Sequence, residues 1–167
     1  MKLNVKMLIV CALVIACCGL AFSQDLTIYK HPKLNIQLKA EANWKNVPRP
    51  EDQLIYELTD PEAVVHVMMW YTETEHDAAA YLKKMAGKKD LVYQGGPTKG
   101  KINNRDAWVL DATCCMDKVP IRVVLVAIPY TSNKEALYIA ELWCPEDKFV
   151  ENEQKMENVL YSLEITE

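Results

Sequence analysis

Three cysteines in the body of the chain, Cys114, Cys115 and Cys144, are the residues best suited to covalent or redox chemistry. In an oxidising compartment such residues form disulfides, and an odd number leaves one thiol for a bridge to another molecule. Hairpins closed by Met116–Val119 and by Pro129–Ala136 would place Cys114 and Cys144 in one row, about 9.6 Å apart. A disulfide requires the two Cα atoms to lie within roughly 7 Å of each other. The alternatives are therefore a disulfide of Cys144, which needs a shifted register or a kink at Cys144–Pro145, and buried free thiols, which pack as small apolar residues.

The histidines and serines form no recognisable metal-binding or nucleophilic motif. Zinc sites usually show Cys-x2-4-Cys or His-x3-5-His spacing, whereas Cys114 and Cys115 are adjacent and would point to opposite faces of a strand. His66 alternates with apolar residues and is interpreted as a core histidine. Ser162 lies outside any Gly-x-Ser-x-Gly elbow. We therefore predict no metal, no cofactor and no enzymatic activity.

Two acidic residues fall within predicted strands, where inward-facing carboxylates would be notable. They are Asp111 and Glu141. Because unpaired acids are seldom buried, we interpret them as facing solvent or pairing with Arg122. They are not predicted to form a catalytic pair.

The richest apolar cluster of the chain contains Met68 and Trp70. Packing in the protein core explains such a cluster, since these side chains are usually buried. The alternative is an apolar groove for a ligand or a partner, where aromatic and methionine side chains are also enriched. This cluster is the one sequence feature that hints at binding.

The first 23 residues have the features of a secretory signal peptide. Lys2 and Lys6 precede an apolar stretch that is shorter than the ~20 residues needed to span a bilayer, and Ala-Phe-Ser follows it. Cleavage between Ser23 and Gln24 would release the domain. Alternatively, Val-Ile-Ala-Cys resembles a lipobox, and lipidation of Cys17 would tether the domain to a membrane. Either route predicts an extracytoplasmic protein, periplasmic or secreted, without a membrane span.

Residues 24–167 are expected to form a single domain, since domains cluster at roughly 100–150 residues. The whole chain has 19 basic and 23 acidic residues, and loss of the two leader lysines changes its formal charge from −4 to −6. An acidic domain of this kind argues against nucleic acid or an anionic membrane surface as a partner.

Hydrophobic periodicity predicts strands, a helix, more strands and a last helix. The predicted strands are at Leu34–Leu38, Gln53–Leu58, Val64–Tyr71, Trp108–Met116, Val119–Ile128 and Leu137–Trp143. One helix is predicted to start with Thr74 as its N-cap and to end near Gly87, and another to open at Pro145. Asp117 and Lys118 form a two-residue hairpin loop. This order predicts an α+β domain with a mostly antiparallel sheet.

Several segments resemble PsbP-like and DcrB-like proteins. Tyr29–Pro32 and Trp44 resemble the opening of that family, and Val159–Ile165 resembles its terminal helix and final short strand. Where the family usually has Pro-x-Gly before the tryptophan, this chain has Ala40–Asn43, and Asn43 would supply the positive φ of that turn. The resemblance implies an antiparallel β-sheet flanked by helices, an α/β/α sandwich, over most of residues 26–166.

Members of this superfamily include photosystem accessory subunits, bacterial lipoproteins and a Ran-binding branch, so the fold alone does not fix function. The resemblance implies a non-enzymatic module that binds an unknown protein partner of the cell envelope. The first alternative is a carrier of a small apolar ligand in a pocket of ~300–1,000 Å³ between sheet and helix. The second is a hydrolase or thiol enzyme, which requires a histidine within hydrogen-bond reach of a cysteine or an inward acid. A partner-binding module should instead expose an apolar patch.

Overall fold

A computed structural model describes residues 25–31, 35–46, 54–72, 77–130 and 136–166, and over these ranges ten strands and two helices are present. The strands are β1 Leu26–Lys30, β2 Ile36–Glu41, β3 Lys45–Asn46, β4 Leu54–Thr59, β5 His66–Thr72, β6 Thr98–Ile102, β7 Arg105–Met116, β8 Val119–Pro129, β9 Leu137–Pro145 and β10 Glu164–Ile165. The helices are α1 Ala78–Lys88 and α2 Phe149–Tyr161, and a 3-10 turn at Glu146–Lys148 precedes α2.

The larger sheet lies between two covering layers. Its seven strands are ordered β3-β4-β5-β9-β8-β7-β6, and every neighbouring pair is antiparallel. Helix α1 packs on one face, while α2 and a smaller sheet, ordered β1-β2-β10, pack on the other. This architecture confirms the predicted α+β sandwich, with an antiparallel sheet between helices.

Strand β9 lies at the centre of the larger sheet and separates its two cores. It is buried along almost its whole length because both of its faces are covered. Within β9, Ile139 belongs to the core beneath α1, whereas Ala140 and Leu142 belong to the core beneath α2. The predicted strand Val64–Tyr71 is β5, which pairs with β9 and begins two residues later than predicted.

Two tight turns connect the strands at one side of the larger sheet. Asp117 and Lys118 have φ of 50° and 70°, which confirms the predicted two-residue hairpin and fits a type I′ turn. Asn103 and Asn104, with φ of 45° and 67°, form the same kind of turn between β6 and β7. That second hairpin was not predicted, although asparagine tolerates the positive φ that both positions require.

The turn before Trp44 does not use a left-handed asparagine. Asn43 is not among the described residues with positive φ, so this part of the prediction was wrong. The turn is closed instead by a hydrogen bond of 3.0 Å from the Trp44 N–H to the Glu41 carbonyl. Such an i to i+3 turn accepts ordinary side chains at both central positions.

The register between β8 and β9 differs by one residue from the prediction. Pro129 pairs with Leu137 rather than with Ala136. The reason is that the Tyr130 N–H donates to the Ala136 carbonyl at 3.0 Å, so these two residues extend the ladder beyond the strands. Side chains alternate between the two faces of a sheet. A shift of one residue in the register of β9 therefore places each of its side chains on the face opposite to the predicted one.

The first helix begins later than predicted. Its N-cap is Asp77 rather than Thr74, and the Asp77 carboxylate accepts a hydrogen bond of 3.0 Å from the Ala80 N–H. A carboxylate at this position satisfies one of the unpaired N–H groups of the first turn. The helix continues through Gly87 and ends at Lys88. In α2 the predicted apolar stripe is confirmed, with Met156 and Val159 buried.

Candidate binding surface

The three cysteines of the domain are free thiols in different surroundings. Cys114 lies opposite Ile121, as predicted, and is half-buried beside the core beneath α1. Cys115 is exposed near the hairpin turn. Cys144 is fully buried in the core beneath α2, and burial raises the pKa of its thiol to about 11. The observed register therefore places Cys114 and Cys144 on opposite faces of the sheet, and not in one row as predicted.

His66 is held by structural partners. Its ring stacks on Trp143 with 3.7 Å between ring centroids, and burial lowers the pKa of the imidazole. Nε2 lies 3.2 Å from the Ala63 carbonyl and Nδ1 lies 3.2 Å from the Thr59 hydroxyl. The carbonyl can only accept, so Nε2 carries the proton and Nδ1 accepts from Thr59. The hydrogen-bonding groups of His66 are therefore satisfied, as predicted, but the residue is half-buried and belongs to neither core.

The two strand acids behave differently. Asp111 pairs with Arg122, as interpreted from the sequence, with 2.6 Å between Arg122 Nε and Asp111 Oδ1. Glu141 is buried, with its side chain 8% exposed, and its Oε2 lies 2.5 Å from Lys89 Nζ. Expecting Glu141 to face solvent or to pair with Arg122 was therefore wrong, because the end of α1 places Lys89 above it. In the described ranges, no three His, Cys, Asp or Glu residues come together as a metal site.

The predicted apolar cluster lies partly beneath α1. Trp70 is half-buried, packs against the core on that side, and has Lys89 Nζ 5.8 Å from its ring centroid. Met68 is half-buried and pairs across the ladders with Glu57 and Glu141. Core packing, the interpretation favoured from the sequence, accounts for Trp70.

The two processing points of the leader lie outside the described residues. Cleavage between Ser23 and Gln24 and lipidation of Cys17 therefore remain predictions. Within the described ranges, no helix combines the length and apolar character that crossing a membrane requires.

A groove of about 440 Å³ lies between the smaller sheet and the C-terminal half of α2. It is lined by Leu26, Lys39, Ala40, Glu41, Trp44, Lys155, Asn158, Val159, Tyr161 and Ser162. By contrast, the core beneath α2, around Leu38, Met69 and Leu163, leaves only about 10 Å³. The open space on this side of the larger sheet therefore lies between α2 and the smaller sheet, whereas the core around Leu38, Met69 and Leu163 is filled.

Ser162 fixes the end of α2 against β2. Its hydroxyl accepts a hydrogen bond of 2.7 Å from the Lys39 N–H and lies 2.9 Å from the Lys39 carbonyl. Strand β10 pairs with β2 only at Ile36 and Gln37. At Lys39, the Ser162 hydroxyl makes the backbone hydrogen bonds that a longer β10 would otherwise make. Its role here is structural, which agrees with its lack of a nucleophile motif.

Asp60 holds the turn between β4 and β5 against α2 beside the groove. The buried carboxylate accepts hydrogen bonds from the Val64 and Val65 N–H groups at 2.7 and 2.9 Å, and from Lys155 Nζ at 3.1 Å. Burial by itself would raise the pKa of Asp60, but these hydrogen bonds outweigh burial and lower it. The sequence places Asp60 in a turn but does not reveal this role, because its lysine partner is 95 positions away.

Trp44 lines the groove and is 4% exposed. Its indole N–H is buried and has no hydrogen-bond partner within the described part of the chain. Its carbonyl, in contrast, accepts from the Tyr29 hydroxyl at 3.1 Å. The wall of the groove therefore includes a residue whose indole N–H is buried rather than open to the groove.

Large apolar side chains are exposed beside the groove. Leu26 and Ile28 of β1 are 58% and 55% exposed, and Tyr161 at the end of α2 is 50% exposed. Leu26 and Tyr161 line the groove, and Ile28 pairs with Lys39, another lining residue. We call these four residues, Leu26, Ile28, Lys39 and Tyr161, the β1–α2 surface.

No protein-family model and no curated protein sequence matches the chain. Several solved structures do resemble it in fold. Cyanobacterial PsbP (CyanoP) from Synechocystis superposes with a TM-score of 0.64 at 12% identity, covering 89% of this chain and 97% of that chain. LpqN, described as involved in cell envelope biogenesis of Mycobacterium tuberculosis, has a TM-score of 0.60 at 14% identity and covers 85% and 91%.

A third neighbour is the Saccharomyces cerevisiae Ran-binding protein Mog1p. Its TM-score is 0.59 at 6% identity, covering 86% of this chain and 96% of that chain. At such low identities the comparison shows the fold and leaves function open. The chain has the PsbP-like α/β/α fold that its opening and closing segments indicated.

Proposed function

We propose that the protein is a non-enzymatic, extracytoplasmic module that binds a protein partner of the cell envelope through the β1–α2 surface. The observation that carries this proposal is the exposure of Leu26, Ile28 and Tyr161 around one groove. Contiguous exposed apolar side chains with polar residues at their rim mark interaction sites on soluble proteins. Lys39 and Glu41 supply such a rim here.

Three further observations support the proposal. The leader supports an extracytoplasmic location. The fold is shared with LpqN, described as involved in envelope biogenesis, and with Mog1p, described as Ran-binding. Both nitrogens of His66 bind backbone or hydroxyl groups, which supports a role without nucleophilic catalysis.

The test is site-specific photo-crosslinking in cells that make the full chain. A photo-reactive amino acid at position 28 should crosslink one envelope protein, whereas the same group at position 150 should not. Val150 is a matched control, because it is apolar and 85% exposed, and it lies about 16 Å along α2 from Tyr161.

The crosslinked protein is then purified and its affinity for the domain is measured by calorimetry. Ile28→Asp should weaken binding by about tenfold or more, since a charge at an apolar contact must be desolvated, and Val150→Asp should leave the affinity unchanged. Equal crosslinking at both positions, or equal affinities of both variants, would contradict the proposal.

A carrier of a small apolar ligand is the second candidate function. The groove of about 440 Å³ falls in the usual range for ligand sites, ~300–1,000 Å³. Native mass spectrometry of the purified protein separates the two candidates. A carrier retains an added small-molecule mass that denaturation removes, whereas a partner-binding module does not.

A further inference from the structure

Among the residues that the structure describes, strand β1 is an outer strand of the smaller sheet and pairs only with β2. The His31 N–H donates to the Ile36 carbonyl at 3.0 Å, and the Ala42 N–H donates to the Asp25 carbonyl at 2.7 Å. In an antiparallel ladder, residues that bond to the neighbouring strand alternate with residues whose N–H and C=O point away from it. The odd-numbered residues therefore bond to β2.

The even-numbered residues of β1 consequently direct their N–H and C=O groups to the open side. These residues are Leu26, Ile28 and Lys30. They also have exposed side chains on one face of the sheet. The same three positions thus present both main-chain hydrogen-bonding groups and, at two of them, apolar side chains.

The outer strands of the larger sheet are better protected against pairing than β1. The five-residue β6 carries Lys99 and Lys101 on either side of Gly100, and β3 is only two residues long. Lysines and short strands are the usual means of preventing edge-to-edge association. In β1 two of the three outward positions hold Leu26 and Ile28, the only lysine of the strand is Lys30 at its end, and no proline interrupts the strand. This contrast points to an edge that is kept open for pairing.

The surface chemistry of β1 defines what can pair with it. A segment that satisfies the outward N–H and C=O groups must itself be extended main chain. Apolar side chains would cover Leu26 and Ile28. Lys30 is exposed and takes part in no ion pair within the described residues, so an acidic side chain opposite it is complementary.

We infer that the partner binds by adding an extended segment antiparallel to β1, with apolar residues against Leu26 and Ile28 and an acidic residue against Lys30. This inference rests on the proposed function and specifies its binding mode. The added segment becomes a fourth strand of the smaller sheet, beside the groove that Leu26 also lines.

The first experiment uses the blocked peptide acetyl-Glu-Thr-Val-Thr-Leu-amide as a probe and follows amide hydrogen exchange by NMR. In an antiparallel arrangement its glutamate faces Lys30, its valine faces Ile28 and its leucine faces Leu26. Binding should slow exchange of the Leu26, Ile28 and Lys30 amides. Exchange at Thr27 and Tyr29 should not change, because their amides already bond to β2.

Two methylated probes separate main-chain pairing from apolar contact. A methyl group on the valine nitrogen removes an N–H that faces β1, so binding should be lost. A methyl group on the nitrogen of the second threonine removes an N–H that faces away, and binding should persist. Equal loss with both probes, or equal retention, overturns the inference.

The matching variant of the protein is Ile28→Pro. Proline at this position removes an outward N–H while sparing the hydrogen bonds to β2, and proline is tolerated on edge strands. It should weaken binding of the probe and of the purified crosslinked partner about tenfold or more. Ile28→Thr keeps the N–H and is the control, with the smaller loss. Circular dichroism verifies that both variants fold.

The outcomes distinguish the inference from the proposed function. If the partner crosslinks at position 28 but binds wild type and Ile28→Pro equally, the binding mode is wrong and the function stands. If no partner crosslinks while the probe still slows amide exchange in β1, the proposed partner-binding function is wrong, but the ability of β1 to pair with an extended segment is supported. If sedimentation shows a dimer of the chain that Ile28→Pro dissociates, the occupant is a second copy, and the inferred partner segment is overturned.

Discussion

The two faces of the larger sheet each bury a carboxylate paired with a lysine, but the two pairs are built differently. Beneath α1, Glu141 bonds to Lys89 at 2.5 Å, and the lysine side chain is 41% exposed. On the α2 side, Asp60 is fully buried and its lysine, Lys155, is 28% exposed. Asp60 also accepts two backbone hydrogen bonds. One pair fastens a helix end, whereas the other organises a turn.

The coverage of the two faces also differs. A single helix, α1, covers one face and buries Leu82 and Ala86 completely. The other face is covered by two separate elements, α2 and the smaller sheet, which meet at Ser162 and leave the groove between them. The comparison teaches that the proposed binding surface lies where two covering elements meet, because neither fills the space at their junction.

The largest expected difference between the faces concerns thiol reactivity. Cys144, buried on the α2 side, should react with a thiol reagent at least about a thousandfold more slowly than exposed Cys115, because labelling requires the core to open at a cost of ~5 kcal/mol or more. Half-buried Cys114, on the α1 side, should fall between them. The measurement is labelling with mass-spectrometric assignment of each site. Similar rates for Cys114 and Cys144 would contradict the placement on opposite faces.

The next largest effect is expected for Asp60→Ala. Removing this carboxylate leaves Lys155 unpaired and two buried N–H groups without an acceptor, so the free energy of unfolding should fall by about 3–5 kcal/mol. Urea denaturation measures the change. Asp111→Ala is the control, since it removes an acid whose side chain is 48% exposed and should cost about 1 kcal/mol or less.

The pH dependence of the same pair provides a second measurement. Folding lowers the pKa of Asp60 below its ordinary value of 3.8, so near that pH the unfolded state binds more protons than the folded state. The stability from Asp60 is therefore fully present above the ordinary pKa and is lost as pH falls through the folded pKa. The difference between wild type and Asp60→Ala should shrink in acid. A constant difference would mean that hydrogen bonding to the ionised carboxylate is not its source.

The smallest effect is expected for Glu141→Leu. Lys89 reaches solvent, so replacing its buried partner with an apolar residue of similar size should change the free energy of unfolding by about 1 kcal/mol or less, in either direction. Urea denaturation tests this beside Asp60→Ala. If Glu141→Leu lowers the free energy of unfolding as much as Asp60→Ala does, the two ion pairs contribute equally to stability, and the expected difference between the two faces is wrong.

The sequence predicted the elements with the strongest local signals. The hairpin at Asp117 and Lys118, the long strands β7, β8 and β9, and the apolar stripe of α2 all follow from periodicity and turn chemistry. The short edge strands β1, β3 and β6 were not predicted. For β6 a signal existed in Asn103 and Asn104, whereas β3 has only two residues and is defined by its pairing with β4.

The candidate surface could not be predicted in the same way. Leu26, Trp44 and Tyr161 come from distant segments, and only their joint packing forms the groove. The sequence hint pointed instead to Met68 and Trp70. Trp70 packs beneath α1, on the face of the larger sheet opposite the groove.

The sequence by itself determined the order of the main strands and helices and the alternation that gives each strand two faces. It also predicts a leader peptide at the N-terminus. The tertiary structure alone decided the register that separates Cys114 from Cys144, the pairing of Asp60 with Lys155 across 95 positions, and the open edge of β1. The physical reason is that periodicity and capping act within a few residues. Register, burial and edges depend on which distant segments meet.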